Sequence, residues 1–246
     1  MKAIPISLII LLGLIFYMPS VLARPNPKGI GANFSYSVMP AGWLPPLDYD
    51  FYMIQDIRAP TEVFKYLDKS HKRVGVKIYQ ETHPFPDKGY IDSLLDRVGK
   101  YLDFVTISEE VRTGQIPELN DTYDYIKEHY PYLKVYQVPH TNYFDFNRLG
   151  ELKADGFIIS PRWWYVGKGF EEKFLFPALA TGKPVINALF IGLYADAPEL
   201  GPLASWEYAI GQYRVCKEYK VPVLIVEAFY PGYENLVKER LEIITK

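Results

Sequence analysis

Short apolar runs alternate with longer amphipathic stretches along almost the whole chain. Runs of Val, Ile, Phe and Tyr that are too short for helices read as buried strands, and apolar residues recurring every three or four positions read as helices. This pattern predicts eight strands: 29–36 (GIGANFSY), 49–55 (YDFYMIQ), 73–80 (RVGVKIYQ), 103–109 (DFVTISE), 133–138 (LKVYQV), 155–160 (DGFIIS), 183–190 (KPVINALF) and 221–227 (VPVLIVE). Between them, Pro60 to Ser70 opens on proline and carries Val63, Phe64 and Leu67 at helical spacing. Tyr90 to Leu102 places Ile91, Leu94, Leu95, Val98 and Leu102 on one face, and Leu203 to Tyr219 and Glu234 to Ile244 behave likewise. Residues 37–48 are rich in Pro and Gly and read as a loop. Eight strand–helix units in about 220 residues is the arithmetic of a single-domain α/β fold, the (β/α)8 TIM barrel, over residues 24–246. An open doubly wound sheet is the alternative, but no G-x-G-x-x-G follows the first strand and no P-loop sequence occurs.

The first residues follow a different pattern. Lys2 precedes an apolar run from Ile6 to Tyr17, and Val21-Leu22-Ala23 supplies small residues where a signal peptidase reads. Residues 1–23 are therefore expected to be a cleaved secretory signal, or else an uncleaved anchor. No later stretch is long and apolar enough to cross a membrane, so the mature chain is expected outside the cytoplasm, without a membrane span. Export permits disulfides, but Cys216 is the only cysteine, which excludes an internal disulfide and a zinc site built on Cys spacing. His71, His83, His129 and His140 lack metal-ligand spacing, so neither metal nor cofactor is expected. The net charge of −2 offers no basic surplus for nucleic acid. Few Cys with many Tyr and Pro fit a heat-adapted source. Asn33-Phe34-Ser35 and Asn120-Asp121-Thr122 match the glycosylation sequon, the first inside a strand and the second at a helix start.

Strand alternation then selects candidate chemistry. A barrel residue facing the helices should be apolar, so polar residues at alternate positions should face inward. On the third strand this puts Gly75, Lys77, Tyr79 and Glu81 inside; on the fourth it puts Thr106, Ser108 and Glu110 inside, with Glu109 next in line if the strand end twists. The same reading gives Asn33 and Ser35, Gln55, Gln137, Ser160 and Arg162, Asn187 and Glu227. Most lie at C-terminal strand ends, the face where barrel enzymes carry their sites. The loops beyond add His83, His140, Trp163, Trp164, Tyr194, Phe229 and Tyr230. Glu227 ends a run that is otherwise nearly all apolar, and a carboxylate there is costly unless paired, hydrogen-bonded or functional.

Two carboxylates on one rim, beside tryptophans and amides, are what glycoside hydrolysis requires: one acid, and one nucleophile or base. The stretches "FVTISEE" and "LIVEAFY" carry a resemblance to secreted (β/α)8 glycoside hydrolases that place an acid glutamate at the end of the fourth strand. That resemblance implies Glu110 or Glu109 as the acid, Glu227 as the second carboxylate and a carbohydrate substrate. It implies a binding surface of Asn33, Gln55, Lys77, Tyr79, Glu81, Gln137, His140, Arg162, Trp163, Trp164, Asn187 and Tyr230. The chain departs from the largest clan of these enzymes, which has Asn-Glu on the fourth strand and its nucleophile on the seventh. Here Ser108-Glu109-Glu110 stands on the fourth, Asn187 on the seventh and Glu227 on the eighth. Two other readings use the same barrel. One is a Schiff-base lyase or aldolase, since Lys77 lies mid-strand among apolar neighbours. The other is a non-catalytic sugar-binding barrel that needs Trp163, Trp164 and the amides but no carboxylate pair.

Overall fold

A computed structural model describes residues 26–55, 58–78, 85–107, 111–161, 168–191, 206–226, 229, 232 and 234–246. Eight parallel strands close into a barrel in sequence order: β1 (Ile30–Phe34), β2 (Phe51–Ile54), β3 (Arg73–Ile78), β4 (Phe104–Ile107), β5 (Lys134–Gln137), β6 (Gly156–Ile159), β7 (Val185–Phe190) and β8 (Val223–Val226). All eight fall within the predicted runs. The expected helices are α1 (Thr61–Lys69), α2 (Lys88–Val98), α5 (Trp206–Glu218) and α6 (Glu234–Thr245). The helix expected to start at Asn120-Asp121-Thr122 is α3 (Ile116–His129), which begins four residues earlier and buries Ile116, Leu119 and Ile126. A further helical segment, α4, went unread in the pattern and runs through Lys168–Phe170, a π-helical stretch Glu171–Leu175 and Phe176–Ala180. Among the described residues no helix is long and apolar enough to cross a membrane. The expected signal segment, 1–23, lies outside the described residues.

The registers explain what fills the barrel. Following the ladder partners from β1 round to β1 again returns about eight residues lower, the shear of a (β/α)8 barrel. Each step to the next strand drops one residue, so side chains at one height come from alternate strands. At the bottom, Phe51 and Phe104 point inward, and β1 and β3 carry glycine beside them. A Cβ on Gly31 would lie 2.3 Å from the Phe51 ring, and one on Gly75 2.2 Å from the Phe104 ring. Above these rings come Tyr136 and Ile186, then Met53, Thr106, Ile158 and Leu224. Phe104 packs edge-on against Phe51 and Tyr136, at 6.5 and 5.4 Å between centroids. Asn26 caps this end, its side-chain oxygen accepting from Lys134 Nζ and the Tyr136 hydroxyl. The lower barrel is therefore a packed plug, and a site inside the barrel must lie above it.

One device recurs at the N-terminal ends. An aspartate just before an even strand accepts a backbone N–H from the preceding odd strand: Asp50 from Ile30, Asp103 from Val74 and Asp155 from Val135, at 2.8–2.9 Å. Asp103 is buried and also pairs with Arg73 at 2.9 Å, and Asp155 pairs with Lys127 at 3.0 Å. These carboxylates satisfy strand donors that have no ladder partner at that end and pin adjacent strands in register.

Candidate active site

Above the plug, polar residues enter the inward positions. Asn33 of β1 and Lys77 of β3 share a layer with Val138 and Ala188, and Thr106 of β4 lies just beneath, in register with Lys77. Gln55 and Ser160, with Val226 of β8 in the inner cluster, stand one step higher, toward the C-terminal mouth. The almost wholly buried polar residues here come from β1, β3 and β4, among the inward apolar residues Met53, Val138, Ile158, Ala188, Leu224 and Val226. Asn33, Lys77 and Thr106 are almost wholly buried, at 2%, 6% and 0% exposure. Among the described residues, Asn33 Oδ1 and Thr106 Oγ1 have no hydrogen-bond partner. Burying such an atom without a partner costs about 1–3 kcal/mol; two of them face this internal space, and Gln137 Oε1 and Asn187 Oδ1, on the helix side, are left in the same state.

Alternation holds for Asn33 and Lys77 but not for two other candidates. Gln137 and Asn187 were expected inside, and both face the helical layer. Tyr136 is the inward residue of β5, and Gln137 donates weakly to the Lys153 carbonyl at 3.5 Å. On β7 the inward residues are Ile186 and Ala188; Asn187 donates to Gln212 of α5 at 3.2 Å, and Gln212 in turn donates to the Pro161 carbonyl at 3.3 Å. Asn187 also contacts the Cys216 thiol, which burial pushes up to about 12. The premise that only apolar side chains face helices failed here, because a helix can supply its own amide.

His140 takes its expected place at the mouth. Val111 forms an isolated parallel bridge with Pro139, His140 N–H donates to the Val111 carbonyl at 2.9 Å, and the strand 4 and strand 5 connections are thereby joined above the barrel. His140 Nδ1 accepts from the Asn142 N–H at 3.0 Å, and its ring lies 4.5 Å from that of Tyr143. The Arg112 guanidinium sits 4.8 Å over the same tyrosine, which is 59% exposed. This cation–aromatic stack was not singled out in the sequence, where Arg112 and Tyr143 lie in separate loops. Tyr79, Glu81, Glu109, Glu110, Arg162, Trp163, Trp164, Glu227 and Tyr230 lie outside the described residues, as do Ser108, His83 and Tyr194. Phe229, another expected rim aromatic, is buried against Phe34, Trp43 and Tyr49. Among the described residues no group of three or more His, Cys, Asp or Glu is placed to hold a metal.

No family model and no curated sequence matches this chain. Solved structures of similar shape include a glycoside hydrolase family 5 mannosidase from Rhizomucor miehei, at 11% identity over 67% of this chain, with TM-score 0.45. The chain spans 62% of that mannosidase. A dihydropteroate synthase from Xanthomonas albilineans matches at 11% identity and TM-score 0.48, covering 89% of this chain and 91% of that one. An HpcH/HpaI aldolase from Desulfitobacterium hafniense DCB-2 matches at 11% identity and TM-score 0.49, covering 89% and 93%. Three different chemistries at similar likeness favour none of them. What stands is the architecture, and it rests on the chain's own strand order: a single closed (β/α)8 barrel, plugged below.

Proposed function

We propose that the protein is a secreted glycoside hydrolase that takes a carbohydrate chain into the C-terminal mouth of the barrel. One observation carries this reading. The buried acceptor atoms of Asn33 and Thr106 face the barrel interior with no partner among the described residues. Sugar hydroxyls are donors as well as acceptors and satisfy such atoms directly. The inward apolar residues among them suit the C–H face of a pyranose ring. Glu110, or Glu109, at the end of the fourth strand acts as general acid, and Glu227 at the end of the eighth acts as nucleophile or base. Trp163 and Trp164 add stacking surface above. The two strands lie on opposite sides of the barrel, which favours the wider carboxylate spacing of inverting enzymes, roughly 6.5–9.5 Å.

A second reading has its own observation: Lys77 is buried at 6% exposure inside the barrel, where an amine could add to a carbonyl with loss of water. The two are separated by incubating the protein with a panel of polysaccharides and, separately, with carbonyl compounds and borohydride. Release of reducing ends with no trapped adduct supports hydrolysis. A mass increase at Lys77 with no released sugar supports the lyase. Saturable glycan binding with neither product favours the non-catalytic sugar-binding barrel.

A further inference from the structure

The helical layer around the barrel has two gaps. β2, β3 and β4 are each followed by an α-helix, whereas β5 passes to β6 with only a 3-10 segment, Phe146–Glu151, and β1 passes to β2 through residues 35–50 with only a 3-10 turn, Tyr36–Val38. Between this connection and α6 lies a cavity of about 630 Å³, on the outer wall and separate from the barrel interior. Its floor is aromatic: Phe229 meets Trp43 and Tyr49 edge-on, each at 5.4 Å between centroids. Its walls carry Asp48 and Asp50 from the connection and Glu234 and Glu242 from α6, against one cation, Lys238. Two of these carboxylates are engaged, Asp50 by the Ile30 N–H and Glu234 by the Gly232 N–H. Among the described residues, Asp48 and Glu242 have neither a hydrogen bond nor an ion pair to their carboxylates. Asp48 lies close enough to the floor to act on it: together with burial, its charge pushes the Tyr49 hydroxyl up to about 12.

We propose that this cavity binds a small organic cation with an apolar body, of the quaternary ammonium class. Aromatic rings attract cations through their negative faces, and carboxylates add charge to that preference. An inorganic cation would gain little from the rings, and an anion would meet four carboxylates. The volume lies within the range of small-molecule sites, about 300–1,000 Å³.

The test uses the full chain and two isosteric probes, choline and 3,3-dimethylbutan-1-ol, which differ by a quaternary nitrogen in place of a carbon. Isothermal titration should show saturable choline binding, with the neutral alcohol at least about fivefold weaker. The double variant Asp48→Asn, Glu242→Gln changes exposed side chains and should weaken choline by at least about fivefold while leaving the alcohol unaffected. Trp43→Ala should weaken both probes; if that variant fails to fold, Trp43→Leu carries the same test. Equal binding of the two probes, absence of saturable choline binding, or choline binding indifferent to the loss of both carboxylates would each overturn the proposal.

Discussion

Replacing Thr106 by valine asks whether the interior polar layer is kept for a ligand. Thr106 is fully buried on the inner face of β4, and its hydroxyl has no partner among the described residues. Valine has nearly the same shape and keeps the β-branched preference for a strand. An unsatisfied buried polar group costs about 1–3 kcal/mol, so deleting the hydroxyl at constant volume should stabilise the fold by that amount. In a chain of this length each kcal/mol moves Tm by roughly 2–4 °C, so a rise of roughly 2–12 °C is expected. Urea unfolding followed by circular dichroism should show a higher midpoint at unchanged slope. The same variant should bind substrate less well, because a methyl now faces the hydroxyl that Thr106 received. The loss of one neutral hydrogen bond, about 0.5–1.5 kcal/mol, raises KM by roughly 2–10-fold. Greater stability with weaker binding is the combined signature. A fall in Tm of several degrees with KM unchanged would refute the reasoning, since the hydroxyl would then be a structural partner.

Three further outcomes follow from the same contacts. Asp103→Ala leaves the buried Val74 N–H without its acceptor and the part-exposed Arg73 guanidinium without its partner, and should cost about 1–3 kcal/mol and lower Tm by roughly 2–12 °C; a change under 2 °C in differential scanning calorimetry would contradict it. Cys216 should resist iodoacetamide in the native protein at pH 8.5 and react fully in urea, and prompt native labelling would show that it is not buried. Its thiol ionises near 9 when unfolded but near 12 when folded, so its contribution to stability is present below pH 9 and lost as pH rises from 9 to 12; Tyr49 and Tyr52, also held up to about 12, add to the same alkaline loss. Lys77→Met should shift one limb of the pH–rate profile by removing the amine buried in the barrel interior; an unchanged profile with full activity takes Lys77 out of the site.

The barrel was legible because each strand is a short apolar run and the helices keep their period. The missing helix between β1 and β2 was legible too, in the Pro- and Gly-rich residues 37–48. Side-chain direction was legible where the helix-facing residues are apolar, as with Val74, Val76 and Ile78 around Lys77 on β3. It failed at Asn187, where Gln212 of α5, twenty-five residues later, supplies a polar partner on the helix side. Gln137 failed for a similar reason, its amide reaching a loop carbonyl. Such pairings depend on how a helix rotates against its strand, which no local pattern records. The Arg112, Tyr143 and His140 stack was invisible for a related reason: it joins two loops through backbone hydrogen bonds, and neither loop alone has a pattern.

The central claim is that carboxylates on the fourth and eighth strands cleave a glycosidic bond at the mouth of this barrel. Its most direct test is the steady-state rate of reducing-end release by the wild type, Glu110→Gln, Glu109→Gln and Glu227→Gln, on a polysaccharide the wild type cleaves. Glutamine keeps the shape and removes the charge. The account predicts that Glu227→Gln, and one of the two fourth-strand variants, lower kcat by at least about 10²-fold while remaining folded. Near-normal turnover in all three variants would contradict it.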